Sequence, residues 1–449
     1  MKFMKSKLAI FLLIVLTFGL LLVGCSGGDS ETGSSDGNTN DDTNASEKDK
    51  ESASGDEQVN IRFAWWTNPN RTEVTKAAID LFEEKYPNIK VTAEYYSWDS
   101  YWQKMATVAA GGSLPDVMQM DGSRLKSFVE KEQLLDLGTT DIDTSGIGEN
   151  TLELGKVDGK QYALTTSINA QILISNPEIL EEAGVSIPEE NYTWEDYADM
   201  LVKIYEETGK YGAANEMEQP AYLDYWARTK GENLYSEDGK TIGMSKETLT
   251  SWFQYWLDLQ EKGGVPTAEE NSAYAHNDMS ASPFIAGETA FNWLFLGTGG
   301  QYETALNKPI KRLLLPEYGN DNKPYPLHAA MFWTAAANTE YPEEAAKLID
   351  FLENDPEVSK LFENDRGIPA NSENMQLVAE STDNDTVRRQ NEVMAKVEEV
   401  ATPLDLDPPN ANGTADILKD IAQQVTFKQL TPSEAADEFT DQLNQSLSK

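Results

Sequence analysis

Ile61-Arg-Phe-Ala-Trp-Trp-Thr-Asn68 places Ile61, Phe63 and Trp65 on one face of a predicted strand, and its continuous apolar run implies burial on both faces. The run stops at Trp66, and Asn68, Pro69, Asn70 and Arg71 follow. A flat indole beside amide and guanidinium donors suits a sugar, because the ring stacks on C–H faces while the donors fix hydroxyls. Trp65 reads as core, and Trp66 stands between a core and a ligand role because a polar loop follows it directly. Asp121 ends the predicted strand Leu114–Asp121, where its carboxylate can accept hydroxyl donors or cap the next helix, Gly122–Val129. Trp293 follows Gly287 and precedes Gly297-Thr-Gly-Gly300, a loop a ligand could approach closely. Trp226 shares a helical face with Tyr222 and Tyr225, which fits core as well as ligand. Trp252 and Trp256 have i,i+4 spacing with Phe253 and Leu257 and read as helix core.

The elements that must position these groups alternate. Thr72–Tyr86 is a predicted helix, with Val74, Ala77, Ala78, Leu81 and Phe82 at helical spacing and Pro87 ending it. Ile89–Tyr95 alternates as a strand. A second helix starts around Trp98, with Ser97 or Asp99 as its cap, and runs through Met105 and Val108 to Gly111-Gly112. Strand, helix, strand, helix, strand is a doubly wound parallel sheet, and ligands of such sheets bind outside the carboxyl ends of the strands.

The chain's 449 residues carry a formal net charge of −40. Lys2, Lys5 and Lys7 precede an apolar run, Leu8–Val23, which together describe a secretory signal over residues 1–24. Cys25, the only cysteine, follows Leu22-Val-Gly and resembles the lipobox cysteine of bacterial lipoproteins, which carries the lipid. No intramolecular disulfide is then possible. Ser26–Gln58 is polar, rich in Gly and Ser, and expected to be a flexible tether spanning on the order of 30 Å. The tether is −8 and the leader lysines +3, so Val59–Lys449 keeps −35. That charge argues against nucleic acid and anionic lipid surfaces as partners. The remainder suits two domains rather than one core.

The chain lacks a Gly-x-Ser-x-Gly elbow, a Walker loop, Gly-x-Gly-x-x-Gly and His-Glu-x-x-His. Its two histidines, His276 and His328, are far apart and read as solvated or helix-end residues; no zinc spacing and no EF-hand loop is present. No metal and no cofactor is expected. Carboxylates abound, so a glycosidase pair stays open on counting alone.

The order of motifs carries a resemblance. The Trp strand comes first, then Phe82-Glu-Glu-Lys-Tyr-Pro-Asn-Ile-Lys-Val91, Trp98-x-x-Tyr101 and Gly111-Gly-Ser-Leu-Pro-Asp-Val-Met-Gln-Met-Asp121. Val157-Asp-Gly-Lys-Gln-Tyr-Ala-Leu-Thr-Thr166, Asn176–Gly184, Phe284-Ile-Ala-Gly287, Trp333-Thr-Ala-Ala-Ala-Asn338, Pro342–Leu352 and Arg366-Gly-Ile-Pro-Ala-Asn371 follow. Together they resemble extracellular solute-binding proteins of family 1, the carbohydrate-capturing subunits of ABC importers related to maltodextrin-binding protein. The Trp-Trp pair and Tyr225-Trp-Ala-Arg-Thr-Lys-Gly231 more narrowly resemble members that bind plant cell-wall oligosaccharides such as pectin fragments.

The resemblance implies a periplasmic-binding-protein-like α/β fold: two lobes, each a doubly wound, mostly parallel sheet, joined by a hinge. Lobe one is expected at 59–165 and 334–371, and lobe two at 166–333 and 372–449. Crossings are expected near Thr165–Asn169, near Met331–Ala335 and after Asn371. A ligand closed between lobes is gripped from both. The expected contacts are Trp66, Asn68, Trp98 and Asp121 from lobe one, Asn169 from the hinge, and Trp226, Arg228, Trp293 and Trp333 from lobe two. Arg366 fits an ion pair better than an anionic sugar. The implied protein is a non-catalytic monomer, lipid-anchored through Cys25 on the outer face of the cell membrane. It passes a carbohydrate, an oligosaccharide of more than one ring, to permease subunits. A surface glycoside hydrolase or lyase and a glycan adhesin are the alternatives.

Overall fold

A computed structural model describes residues 58–448, apart from 188–190, 273, 275–278, 309, 405–406 and 409. The predicted leader, Cys25, His276 and nearly all of the tether lie outside the described residues.

The amino-terminal half of the fold follows from alternation. β1 (Val59–Trp66) lies between β2 (Ile89–Tyr96) and β3 (Val117–Met120), parallel to both. Phe63 and Trp65 point to one face of this sheet and Ala64 and Trp66 to the other, as the two-residue period requires. The helix between β1 and β2 begins at Pro69 rather than Thr72, because Pro69 pre-sets the helical φ and Asn68 Oδ1 accepts from Arg71 N at 2.9 Å. Ser97 is the cap position of helix Trp98–Ala110, and Asp121 caps helix Gly122–Glu130 by accepting from Ser123 N.

After a hairpin, β4 (Lys156–Val157) and β5 (Lys160–Gln161), the chain enters β6 (Leu164–Asn169) and β7 (Gln171–Ser175), with Ala170 between them. β8 (Phe291–Phe295), β9 (Lys311–Leu313), β10 (Tyr325–Ala335), β11 (Ile368–Pro369) and β12 (Ala401–Pro403) complete the strands. The larger sheet runs β11-β6-β10-β3-β1-β2, with β12 on β10; a second runs β8-β7-β9. Within the larger sheet β10 is antiparallel to β3, and in the second β7 is antiparallel to both neighbours. The second sheet therefore departs from the parallel pattern at its middle strand, which arrives directly from β6.

Two cores flank the larger sheet. Ile61, Phe63, Trp65 and Trp333 pack under helices Pro69–Lys85 and Pro342–Asn354 through Phe82, Leu348 and Phe351. The opposite face, with Trp66, Met118 and Met120, meets Tyr101, Met105 and Phe128 and continues into a core rich in aromatics. There Trp194, Tyr197, Trp226, Trp252 and Trp256 pack between helices Trp194–Thr208, Pro220–Thr229 and Lys246–Lys262. The helical reading of Trp252 and Trp256 matches their full burial.

β10 has a distinctive burial pattern. Residues 325–327 and 332–335 are buried, whereas His328–Met331 is half-buried. The β6–β10 register slips around Met331, a bulge that bends a long strand. Gly367, φ 119°, lies against this bend; a Cβ there would come within 3.0 Å of Ala330 Cβ and of Ser167.

Candidate functional site

Because β1, β2 and β3 are parallel and in register, Trp66, Tyr96 and Met120 reach the same edge of the sheet. Trp66 is 8% exposed and Trp98 is 44% exposed. Trp98 meets Trp66 edge-on at 5.0 Å and Trp102 at 5.7 Å, and Tyr101 backs Trp66 at 5.5 Å. The result is an aromatic platform whose outermost ring stands in solvent at the first position of a helix. Asn68 and Asp121 stand at the same edge. Each spends one oxygen on a helix cap, Asn68 Oδ1 on Arg71 N and Asp121 Oδ1 on Ser123 N at 3.0 Å. The Asn68 amide nitrogen and the second Asp121 oxygen are left over from the caps.

The arginines near this edge are committed elsewhere. Arg71, part of the donor group expected beside Trp66, is buried; its Nε donates to Asp365 Oδ2 at 2.8 Å and its Nη2 to Asp365 O at 2.7 Å. Arg366 is buried too, donating to Gln119 and Thr75 and lying over the rings of Phe362 and Trp333. Burial and the neighbouring Arg71 pull its guanidinium down to about 9, against the opposing pull of Asp365.

The floor beside this edge lies where β6 passes through Ala170 into β7 of the second sheet. Asn169 Oδ1 accepts from Ala170 N at 3.0 Å and from Gly297 N at 3.1 Å, tying β6 to the loop after β8. A Cβ on Gly297 would meet Asn169 Nδ2 at 3.3 Å, so the close approach favours glycine. His328 pairs with Asn169 across the ladder, and Phe295, 38% exposed, presents its ring edge-on to His328 at 5.1 Å. His328 is thus a half-buried strand residue, not the solvated or helix-end group expected. Burial pushes its imidazole down to about 4, which keeps it neutral at pH 7; Asp224 opposes that shift and Arg228 adds to it. Arg228 itself is paired with Asp224 at 2.7 Å.

The second sheet and its helices hold the remaining expected residues, and most of them are interior. Trp293 is buried, stacked on Trp194 at 5.7 Å and against Tyr222 at 4.1 Å, with its Nε1 donating to Tyr197 at 3.4 Å. Trp226 is buried among Trp194, Trp252 and Tyr255 and donates to Ser251. Trp333 is fully buried against Phe63, in the core of the larger sheet. The structure therefore brings Trp66, Trp98, Asn68 and Asp121 to one edge and Asn169 to the floor beside it. It leaves Trp226, Trp293 and Trp333 as core, because a large apolar ring at helical or strand spacing gains most from burial.

A cavity of about 580 Å³ opens at the start of helix Pro220–Thr229, lined by the amides of Asn215, Gln219, Asn271 and Gln423 with Tyr274 and Phe427. Tyr222, one helical turn beyond Gln219, touches Trp293 of β8, whose last residue is Phe295. Its sequence signal is the mostly polar stretch Asn215–Gln219 ahead of Pro220; neither this stretch nor Phe295 is among the residues singled out from the sequence. Among the described residues there is no cluster of three or more His, Cys, Asp or Glu placed to hold a metal, and no helix long and apolar enough to cross a membrane.

Comparison with known proteins bears on what this edge, floor and cavity serve. Residues 77–389 match the family described as bacterial extracellular solute-binding protein. Over 224 residues the chain is 28% identical to the arabinooligosaccharide-binding protein of Halalkalibacterium halodurans, covering 45% of this chain and 50% of that one. Over 270 residues it is 22% identical to the arabinooligosaccharide-binding protein of Bacillus subtilis, covering 59% and 57%. The match thus spans little more than half the length of these curated relatives. In structure it resembles an extracellular solute-binding protein of family 1 from Alicyclobacillus acidocaldarius, with a TM-score of 0.79 and 27% identity over 88% of this chain and 99% of that one.

Proposed function

We propose that this chain, which belongs to the bacterial extracellular solute-binding proteins, captures an oligosaccharide by closing two lobes over it and delivers it to the permease of an ABC importer. The lobes proposed are 59–165 with 334–371, and 166–333 with 372–449. The separate core of Ile61, Phe63, Trp65, Leu164 and Leu348 supports the first of them. The observation that carries the reading is the exposed Trp98 ring, braced by Trp66 and Trp102 at the carboxyl edge of the sheet. Such a ring offers a sugar a C–H stacking surface, and the half-buried run His328–Met331 leaves the adjoining floor uncovered. The two relatives named for arabino-oligosaccharides support that ligand class. The ligand contacts both lobes only when they close, so its binding shifts the population toward the closed form. The family is one of binding proteins, and this chain leaves the glycan intact. The chain acts as a monomer, held at the outer face of the membrane by lipid on Cys25 and by the acidic tether.

The test is a panel of arabinan-, galacturonan- and starch-derived oligosaccharides, read by tryptophan fluorescence and by thermal shift, since a ligand that binds only the folded form raises the melting point. One glycan class binds, and chromatography after prolonged incubation recovers it uncut. Shortened products, or no response to any glycan, would overturn the proposal.

A further inference from the structure

We infer that the groove between the edge strand β9 and helix Asp385–Val400 is a second ligand site, built for an organic anion: a carboxylate carried on a ring or a short apolar body. β9 ends the β8-β7-β9 sheet and pairs only with β7, so no strand among the described residues covers its other edge. Residues 310–314 line a cavity of about 400 Å³, and Arg389, Glu392, Val393 and Lys396 line it from the helix. Those four recur at helical spacing and therefore share one face. The groove has no residue in common with the platform of Trp66 and Trp98 or with the floor at Asn169 and His328.

The groove is positive on a head that keeps −35. Lys311, Arg312, Arg389 and Lys396 line it against a single carboxylate on its wall, Glu392. Lys311 and Lys396 are exposed and form no ion pair among the described residues. The two arginines share one buried carboxylate, Glu303 of helix Gly299–Leu306: Arg312 Nη1 donates to its Oε1 at 3.0 Å and Arg389 Nη2 to its Oε2 at 3.0 Å. Thr386 Oγ1 donates to the same Oε2 at 2.7 Å. One negative charge therefore serves two guanidiniums. The Arg312 side chain is 3% exposed, and its Nε and Nη2 have no acceptor; nor has Arg389 Nε. A buried guanidinium without full compensation is costly, and an anion beside the pair offsets that cost.

The walls define the rest of the ligand. Ile187, Tyr192, Tyr318 and Val393 supply apolar surface. Tyr192 spends its hydroxyl on Leu314 O at 2.9 Å and offers the groove its ring alone. A bare phosphate or sulfate fills a small part of such a volume and leaves the apolar surface wet. A ring bearing a carboxylate covers that surface while its oxygens meet the cations.

The test is a titration of the whole protein with sodium benzoate at low salt, read by ligand-observed NMR, with benzamide as the uncharged control. Benzoate binds saturably and benzamide does not. Added sodium chloride weakens the binding, as screening of exposed cations requires. Replacing both exposed lysines, Lys311→Gln with Lys396→Gln, weakens it about tenfold. Glu392→Gln removes the opposing charge on the wall and tightens it about twofold. Trp98→Ala leaves it within about twofold of wild type, which separates this site from the sugar platform. No saturable binding of benzoate, equal binding of benzamide, or a double-lysine variant that binds as wild type does would overturn the inference. So would loss of binding in Trp98→Ala, which places the acid on the platform instead.

Discussion

Replacing Trp98 by alanine tests the candidate site at its most exposed point. A tryptophan offers on the order of 250 Å². With 44% of Trp98 open, about 110 Å² is available to a ligand. A sugar lying on one face of the ring covers about half of that, and at roughly 25 cal/mol per Å² this is worth about 1.4 kcal/mol, or tenfold in Kd. The same change loses the edge-on contacts to Trp66 at 5.0 Å and Trp102 at 5.7 Å. Such contacts contribute about 0.5–1.5 kcal/mol each, so the free protein loses a few degrees in Tm and stays folded. Isothermal titration with the glycan identified by the panel measures the affinity, and thermal unfolding without ligand measures the structural cost. Trp98→Phe, which keeps a ring, retains most of the affinity. A Trp98→Ala variant that binds within twofold of wild type would refute the reasoning, because the exposed indole would then not be a stacking surface.

Three further outcomes are expected. Burial would raise the Glu303 carboxyl, but hydrogen bonds from Arg312, Thr386 and Arg389 hold it down at about 2. A depressed folded value stabilises the protein above the unfolded value and is lost as pH falls through about 2; Glu303→Gln therefore costs up to about 3 kcal/mol at pH 7 in urea unfolding, and the difference fades between pH 5 and 2. A difference that does not change with pH contradicts this account. Gly367→Ala forces a side chain onto a φ of 119° against Ala330 and Ser167 and lowers stability by about 1–3 kcal/mol, as calorimetry would show. Cys25→Ser moves the protein from the membrane fraction to the soluble one; retention at the membrane would place the anchor elsewhere.

The parallel strands and their helices were legible because each local signal agreed with the fold. A continuous apolar run marked β1 and alternation marked β2, Pro87 ended a helix, and Asn68 and Asp121 sit where caps belong. The edge that gathers Trp66, Asn68, Trp98 and Asp121 followed from that parallel order. The interior placement of Trp226, Trp293 and Trp333 was not legible, because whether an indole packs or faces a ligand depends on what covers it. Trp293 is covered by Trp194 and Tyr222, and Trp333 by Phe63 and Arg366, residues up to some 270 positions away in sequence. Phe295 was missed for the converse reason: it ends an apolar strand that reads as wholly buried, yet nothing covers its ring fully. The amide cavity draws on segments around residues 217, 271 and 420, so the Asn215–Gln219 stretch alone does not reveal it.

The energetics of the proposed closure also constrain how large its ligand must be. To move a two-state hinge from mostly open to mostly closed takes about 5.5 kcal/mol of differential affinity. A single indole face supplies about 1.4 kcal/mol, so roughly four contacts of that size must form only on closure. The first lobe offers one exposed platform ring, Trp98, and two partly used polar groups, Asn68 and Asp121. The floor adds Phe295 and Asn169, whose oxygen is already spent on Ala170 and Gly297. One sugar unit stacked on Trp98 reaches too few of these at once. On the proposed closure, a ligand of several rings can gather the required total while each contact stays modest.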